Sequence, residues 1–94
     1  MKVKVRFFTK LREITKRKEE EFEVEDSLTV RHFLKILTER YGCEFEEYVW
    51  DRFGRPHGHL QFLVNGKNIR SMCGLETKLK DGDTLVILPP VGGG

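Results

Sequence analysis

The stretch that decides the fold is residues 81–94, DGDTLVILPPVGGG. The DGD sequence at 81–83 is typical of a turn, and the apolar run 84–88 is typical of a strand in the middle of a sheet. Proline cannot donate a backbone hydrogen bond, so Pro89 and Pro90 end this strand and continue the chain as a stiff, extended stem. The sequence therefore predicts a central strand from which the last residues leave the sheet.

Two further segments alternate between charged and apolar residues, which is typical of strands with one buried face. The first is residues 2–8, KVKVRFF, and the second is residues 21–25, EFEVE. We predict that they pair antiparallel and that the polar run 15–21 forms the solvated connection between them. Because residues 84–88 are strongly apolar, we place that strand beside the first one and parallel to it.

A helical pattern separates these two strands from the later ones. Its apolar residues recur at helical spacing: Val30, Phe33, Leu34, Leu37 and Tyr41. Ser27 or Thr29 would cap the amino end, and Gly42 is a natural stop. The pattern predicts one amphipathic helix of about 12 residues, long enough to cover one face of a small sheet.

The middle of the chain contains a poorly patterned segment and then a hairpin. A helical turn would suit residues 45–49, but the GRPHG sequence that follows favours an irregular loop over residues 43–58. Residues 60–64 form a short apolar run, and the Asn65-Gly66 pair after it is the strongest two-residue hairpin signal. Residues 67–69 are then predicted to return as a brief strand.

The predicted fold class is α+β, a mixed sheet with one amphipathic helix packed on one face. A chain of 94 residues supports one domain with one core. Charged residues make up 34% of the sequence, yet acidic and basic residues nearly balance, for a net charge of +2. Such a balance is typical of a surface of solvated ion pairs, and it disfavours binding to nucleic acid.

Several classes of protein are disfavoured by what the sequence does not contain. There is no long apolar run of the kind that a signal peptide or membrane span requires, so we expect a cytoplasmic location and no membrane partner. The two cysteines, Cys43 and Cys73, form no Cys-x-x-Cys pair and are expected to stay reduced. His57, His59 and Cys73 lack the spacing of a metal site, and we predict no bound metal.

The end of the chain is a candidate chemical group. After the prolines come Val91 and three glycines. Without Cβ atoms, residues 92–94 can lie extended in a narrow groove and bring the carboxylate of Gly94 to a reactive centre. Adenylation by ATP would make this carboxylate an acylating group, from which a sulfur or nitrogen nucleophile displaces AMP. The alternative is a frayed terminus without a task.

Four segments, in this order, resemble the ubiquitin-like sulfur carriers that serve as the small subunit of molybdopterin synthase, in their archaeal form, which is related to the small archaeal ubiquitin-like modifiers. The segments are VRFFTKLREI at 5–14, VNGKNI at 64–69, Leu75 with DGD at 81–83, and the ending ILPPVGGG. Together with the helix they cover nearly the whole chain and leave 43–58 unmatched. The resemblance implies a β-grasp fold for residues 1–91 and a flexible glycine tail at 92–94.

The resemblance also implies the chemistry of this tail. An E1-like activating enzyme would use ATP to adenylate Gly94 and convert it to a thiocarboxylate, with Gly93 as the other member of the reactive pair. The sulfur would pass into the dithiolene of the molybdenum or tungsten pterin cofactor within a complex with the large catalytic subunit of the synthase. The chain would then be a carrier without enzymatic activity or bound cofactor. Gly92 stands where the family often has Ala or Thr, which loosens the tail.

Strand parity predicts a docking surface beside the tail. If alternate apolar residues face the helix, four others face outward: Phe8, Leu63, Val86 and Leu88. Contiguous exposed apolar surface usually marks a docking site, so we predict that these four residues bind the partner together with Arg12, Val91 and Gly92. Nearby basic residues would steer an acidic partner surface: Arg6, Arg12, Lys67 and Arg70. The alternatives are that the parity is wrong at a strand end, or that the 43–58 loop covers these apolar groups.

The sequence leaves other functions open, and some of them need the same tail while one does not. The activated Gly94 could form an isopeptide bond with lysines of target proteins, or its sulfur could go to tRNA or to amino-acid biosynthesis. A passive RNA-binding module is a further alternative, which the low net charge disfavours. The sequence alone does not name the acceptor of the sulfur.

Overall fold

Five strands form one mixed sheet in the computed structural model, which describes residues 1–89. The strands are β1 (Lys2–Phe7), β2 (Glu19–Glu23), β3 (Gln61–Val64), β4 (Lys67–Asn68) and β5 (Thr84–Leu88). Their order across the sheet is β2-β1-β5-β3-β4. The prediction of a central last strand is confirmed, since β5 pairs parallel with β1 and antiparallel with β3.

The inner face of the sheet carries the core. In the parallel pair Val5 is opposite Leu85 and Phe7 is opposite Ile87, and all four side chains are fully buried. Because side chains of a strand alternate between the two faces, these positions place the remaining residues of β1 and β5 on the outer face. The parity predicted from the sequence is therefore confirmed for both strands.

One long helix packs on this inner face, as predicted. Helix α2 spans Val30–Tyr41, and its buried residues include Val30, Phe33, Leu34 and Leu37. Thr29 is the amino-terminal cap, because its side chain accepts a hydrogen bond from the backbone N–H of His32 at 3.2 Å. The helix ends at Gly42, whose φ of 87° lies in a region that glycine tolerates and other residues avoid.

The prediction of a single helix is wrong, because two shorter helices join α2 in covering the sheet. Helix α1 spans Thr9–Thr15, between the first predicted strand and the predicted connection at 15–21, where the sequence predicted no element. Helix α3 spans Cys43–Val49 inside the segment predicted to be irregular. Each has only seven residues and buries two side chains four positions apart. Two turns are too short for a periodic pattern to stand out in the sequence.

Strand β2 begins and ends two residues earlier than the predicted segment 21–25. The backbone N–H of Phe7 donates to the carbonyl of Lys18 at 2.8 Å, so pairing with β1 extends into the polar run. Glu19 contributes to this early pairing because its carboxylate lies 3.4 Å from the ammonium of Lys4 on the neighbouring strand. Cross-strand charge pairing thus makes a strand of residues whose composition resembles a loop.

The predicted hairpin is confirmed with small changes at its ends. Asn65 and Gly66 have φ values of 50° and 86°, the left-handed pair that a tight two-residue turn requires. Strand β3 starts at Gln61, and β4 stops at Asn68 because the Asn68 side chain accepts the backbone N–H of Arg70 at 2.9 Å. A short 3-10 turn then begins at Ile69.

Candidate docking face beside the end of the central strand

The outer face of the sheet has an apolar half built by β3 and β5. Leu63, Val86 and Leu88 lie on this face and are half-buried, as the sequence predicted. Leu63 and Val86 are direct partners in the antiparallel register, and Leu88 lies two residues further along β5 on the same face. The three α-helices of residues 1–89 pack on the buried inner face, so none of them covers these side chains.

The other half of the outer face is charged and belongs to β1 and β2. Lys2, Lys4 and Arg6 of β1 are register partners of Glu23, Glu21 and Glu19 of β2. Arg6 is also the register partner of Val86, so it marks the boundary between the charged and the apolar half. Its guanidinium lies 3.8 Å from Glu19, which leaves it only partly available for the steering role that the sequence predicted.

Phe8 and Arg12 extend the apolar half at its end nearest the tail. Phe8 follows the Phe7–Ile87 pair and therefore lies level with Leu88. The guanidinium groups of Arg6 and Arg12 each lie over the Phe8 ring, 5.5 Å from its centroid. Arg12 also donates from Nε to the carbonyl of Phe7 at 3.3 Å. This end of the face therefore combines an aromatic ring with two cations, which suits an acidic partner.

The two other predicted steering residues lie on the far side of the apolar half. Lys67 is exposed on the edge strand β4, and Arg70 follows in the 3-10 turn. Arg70 donates from Nη2 to the carbonyl of Gly58 at 3.2 Å, which partly occupies it in holding the long loop. Basic residues therefore lie on both sides of Leu63, Val86 and Leu88, which we call the apolar strip.

The predicted reactive residues, Gly93 and Gly94, come a few positions after Leu88 in the sequence. Leu88 and Pro89 are the last described positions of the chain, while Val91, Gly92, Gly93 and Gly94 lie outside the described residues. Gln61, the register partner of Leu88, belongs to the same surface and was missed from the sequence. A polar residue at the start of a strand gives no signal of its own, and only the register reveals its place.

A carboxylate network ties β2 to the end of α2 on the helix side of the sheet. Glu20 accepts hydrogen bonds from the hydroxyl of Tyr41 and, at 2.8 Å, from Nη2 of Arg40. Burial and the Glu20 carboxylate together raise the pKa of Tyr41 well above its ordinary value. The Tyr41 hydroxyl therefore stays neutral and donates to Glu20. The network stabilises the contact between β2 and α2 and lies away from the docking face.

The residues weighed as a metal site show no such arrangement in the described part of the chain. The rings of His57 and His59 stack with centroids 5.3 Å apart, and Cys73 is exposed. Within residues 1–89 no group of three or more His, Cys, Asp and Glu side chains is placed to hold a metal ion. Over the same residues, no helix is long and apolar enough to cross a membrane.

A mixed sheet with its last strand at the centre, helices on one face and an apolar strip on the other is the ubiquitin-like β-grasp fold. The chain belongs to the ThiS family, whose model matches residues 5–94. Its relatives are sulfur carrier proteins and a small archaeal modifier protein.

Three similar proteins illustrate the family. Small archaeal modifier protein 3 of Haloferax volcanii is 33% identical over 94 residues, which is 100% of both chains. The structure of a Pyrococcus furiosus protein described as a proposed subunit 1 of a molybdopterin converting factor is 30% identical, with a TM-score of 0.76 over 96% of this chain and 98% of that one. CysO of Amycolatopsis orientalis, solved in complex with BexX, is 33% identical, with a TM-score of 0.75 over 98% and 99% of the two chains.

Proposed function

We propose that this protein carries sulfur as a thiocarboxylate on Gly94. An oxygen of the Gly94 carboxylate attacks the α-phosphate of ATP on an E1-like activating enzyme, which forms the acyl adenylate and releases pyrophosphate. Hydrosulfide supplied through that enzyme then attacks the acyl carbon and AMP leaves with the bonding electron pair. Loss of the remaining S–H proton gives the thiocarboxylate. Gly93, which also lacks a Cβ atom, lets the tail enter a narrow active site.

The observation that carries this proposal is the position of Leu88. The strand that ends in the PPVGGG sequence is the central one, and the uncovered apolar strip of Leu63, Val86 and Leu88 lies directly before that sequence. A partner that binds this strip is therefore next to the residues that would react. The partner enzyme binds the folded domain while the tail reacts. The chain is thus a co-substrate with no enzymatic activity or bound cofactor of its own.

We propose further that the sulfur is donated to a precursor pterin, where it forms the dithiolene of molybdopterin, within a complex with the large catalytic subunit of molybdopterin synthase. The ordered motifs of the sequence and the likeness to the Pyrococcus furiosus protein support this acceptor. The likeness to CysO, which was solved in a complex with another protein, supports docking as the general mode of action.

Loading of the tail is tested by mass spectrometry of the intact protein after incubation with the activating enzyme, ATP and a sulfur source. We expect a gain in mass equal to the replacement of one oxygen by sulfur. The variant that lacks Gly93 and Gly94 is the control and should gain nothing. An unchanged mass for the full chain would refute the sulfur carrier proposal.

Docking is tested with Leu63→Asp. A carboxylate in the centre of the apolar strip must lose its hydration when a partner covers it, so we expect affinity for the large subunit to fall about tenfold or more in a calorimetric titration. Ile36→Asp is the matched control, because Ile36 is also half-buried and apolar but lies on α2, on the helix side of the sheet. Equal affinity for Leu63→Asp and the wild type would remove the outer face from the docking site.

A second use of the same tail is favoured by the likeness to small archaeal modifier protein 3. In this use a target lysine displaces AMP from the adenylated Gly94 and forms an isopeptide bond. High-mass conjugates that disappear when Gly93 and Gly94 are deleted would establish it. Transfer of sulfur to purified precursor pterin or to tRNA, measured on the thiocarboxylated protein, separates the two sulfur acceptors.

A further inference from the structure

The loop that follows α3 holds an exposed aromatic ring between cations. Phe53 is 67% exposed, which makes it the most exposed large apolar residue of the described part of the chain. The guanidinium groups of Arg52 and Arg55 lie over its ring, 5.1 and 5.2 Å from the centroid. We call residues 52–55, RFGR, the tip. Aromatic rings and arginines of this kind are the side chains that most often dominate protein interfaces.

The tip is held in one conformation by residues at its base. One carboxylate oxygen of Asp51 accepts the backbone N–H groups of Phe53 and Arg55 at 2.8 and 3.0 Å. A bridge between Trp50 and Pro56 closes the base, and the Trp50 indole donates to Thr38 of α2 at 2.8 Å. The hydrogen bond from Arg55 is the main reason why the pKa of Asp51 is lowered. A preformed tip loses little conformational entropy when it binds.

An open groove of about 940 Å³ lies between this loop and helices α2 and α3. Its acidic lining residues are Glu39, Glu46, Glu47 and Asp51. None of the three glutamates has an ion-pair partner among residues 1–89, whereas the Asp51 carboxylate lies 3.6 Å from Nε of Arg55. Trp50 adds apolar surface, and the groove also contains Lys35 and His57. The groove thus has an aromatic side chain and an acidic excess, which complements a tip that has an aromatic ring and two cations.

The tip cannot fill the groove of its own chain, because Arg52 and Gly54 form part of the groove wall and Asp51 fixes the loop there. The geometry points to a second copy of this chain as the occupant. Since tip and groove are adjacent, one two-fold rotation places each tip in the groove of the other copy and makes both contacts at once. We infer a symmetric dimer in which each Phe53 packs toward the partner copy's acidic groove.

This dimer goes beyond the proposed sulfur carrier function and does not depend on it. The groove is built by α2, α3 and their following loop, on the helix side of the sheet, so the apolar strip with Leu88 stays free in both copies. The contact is small, and small interfaces are weak and transient. A dimer would present two tails at once to an enzyme or target.

Sedimentation velocity of the full chain at concentrations from about 10 μM to 1 mM tests the inference, since weak association appears in this range. We expect the wild type to shift from monomer to dimer and Phe53→Ala to lower the association constant about tenfold or more. Circular dichroism verifies that the variant is folded. A wild type that stays monomeric at 1 mM, a dimer that persists in Phe53→Ala, or assembly beyond the dimer would each overturn it.

Charge exchange gives a sharper second test, made at low salt because screening weakens such contacts. Arg52→Glu and Glu47→Arg should each weaken the dimer about tenfold or more, since residues 52 and 47 then carry like charges. When the two variants are mixed, both contacts of the heterodimer regain opposite charges, and association should return. Glu44→Arg, on the same helix but outside the groove, is the control and should dimerise as the wild type does. Failure of the mixture to associate would refute this pairing.

Discussion

At the scale of single residues, Asn65 joins two distant parts of the chain. Its left-handed conformation starts the β3–β4 turn, with φ at 50°. Its side chain donates to the carboxylate of Asp83 at 2.8 Å and accepts the backbone N–H of Thr84 at 2.9 Å. Asp83 in turn accepts the N–H of Lys80. One turn residue therefore holds the beginning of the central strand β5.

We expect Asn65→Ala to lower the free energy of unfolding by about 1–3 kcal/mol, because it removes the donor to Oδ1 of the buried Asp83 and the acceptor of the Thr84 N–H. Urea unfolding followed by circular dichroism measures this. Lys67→Ala, an exposed change on the adjoining strand, should stay within about 0.5 kcal/mol of the wild type. A loss no greater for Asn65→Ala than for Lys67→Ala would contradict this account of the turn.

Whether the role of a residue could be predicted from the sequence depends on how far along the chain its interaction partners lie. The Asn65-Gly66 turn and the outward direction of Leu63 and Val86 depend on neighbours along the chain, so a local pattern predicts them. The stacking of Arg6 and Arg12 on Phe8 depends on where α1 begins, which the sequence pattern did not show.

At the scale of elements, helix length separates what was predicted from what was missed. Helix α2 has 12 residues, enough for its apolar positions to repeat over three turns. Helix α3 has seven, and it is stable because Phe45 is fully buried against the core. The Phe45 ring lies 6.5 Å from that of Phe7 and 5.8 Å from that of Tyr41. Tertiary packing, rather than helical propensity, makes this segment a helix.

Phe45→Ala should therefore cost about 3–5 kcal/mol of unfolding free energy, since it leaves a cavity between α3, β1 and α2. Amide hydrogen exchange of the 43–58 segment should rise at the same time. Glu44→Ala, at an exposed neighbouring position of the same helix, is the matched control and should change stability little. If the two variants unfold at the same urea concentration, α3 does not depend on this contact.

At the scale of the whole molecule, the order of strands predicts where the structure opens last. Strands β1 and β5 have a neighbour on each side, while β2 and β4 are edges and β4 has only two residues. We expect the paired amides of β1 and β5 to exchange with deuterium about tenfold or more slowly than those of β4, as followed by NMR. Equal protection across the sheet, or slowest exchange in β4, would contradict this order.

The whole molecule also separates two surfaces that the sequence did not separate. The apolar strip with Leu63, Val86 and Leu88 lies on the open face of the sheet, whereas the RFGR tip and its groove lie on the helix side. The proposed docking of an enzyme through the strip and the proposed contact of the tip with a second copy therefore use different surfaces.

Local sequence patterns were enough to predict the strands, the long helix, the Asn65-Gly66 turn and the central place of the last strand. Each of these follows from residues close together in the chain, since alternation, helical spacing and turn preferences are local. The three-dimensional fold was needed to show that residues 9–15 and 43–49 are helices, that Gln61 lies beside Leu88, and that a fixed cationic tip adjoins an acidic groove. These features depend on contacts between segments far apart in the sequence, which no local pattern contains.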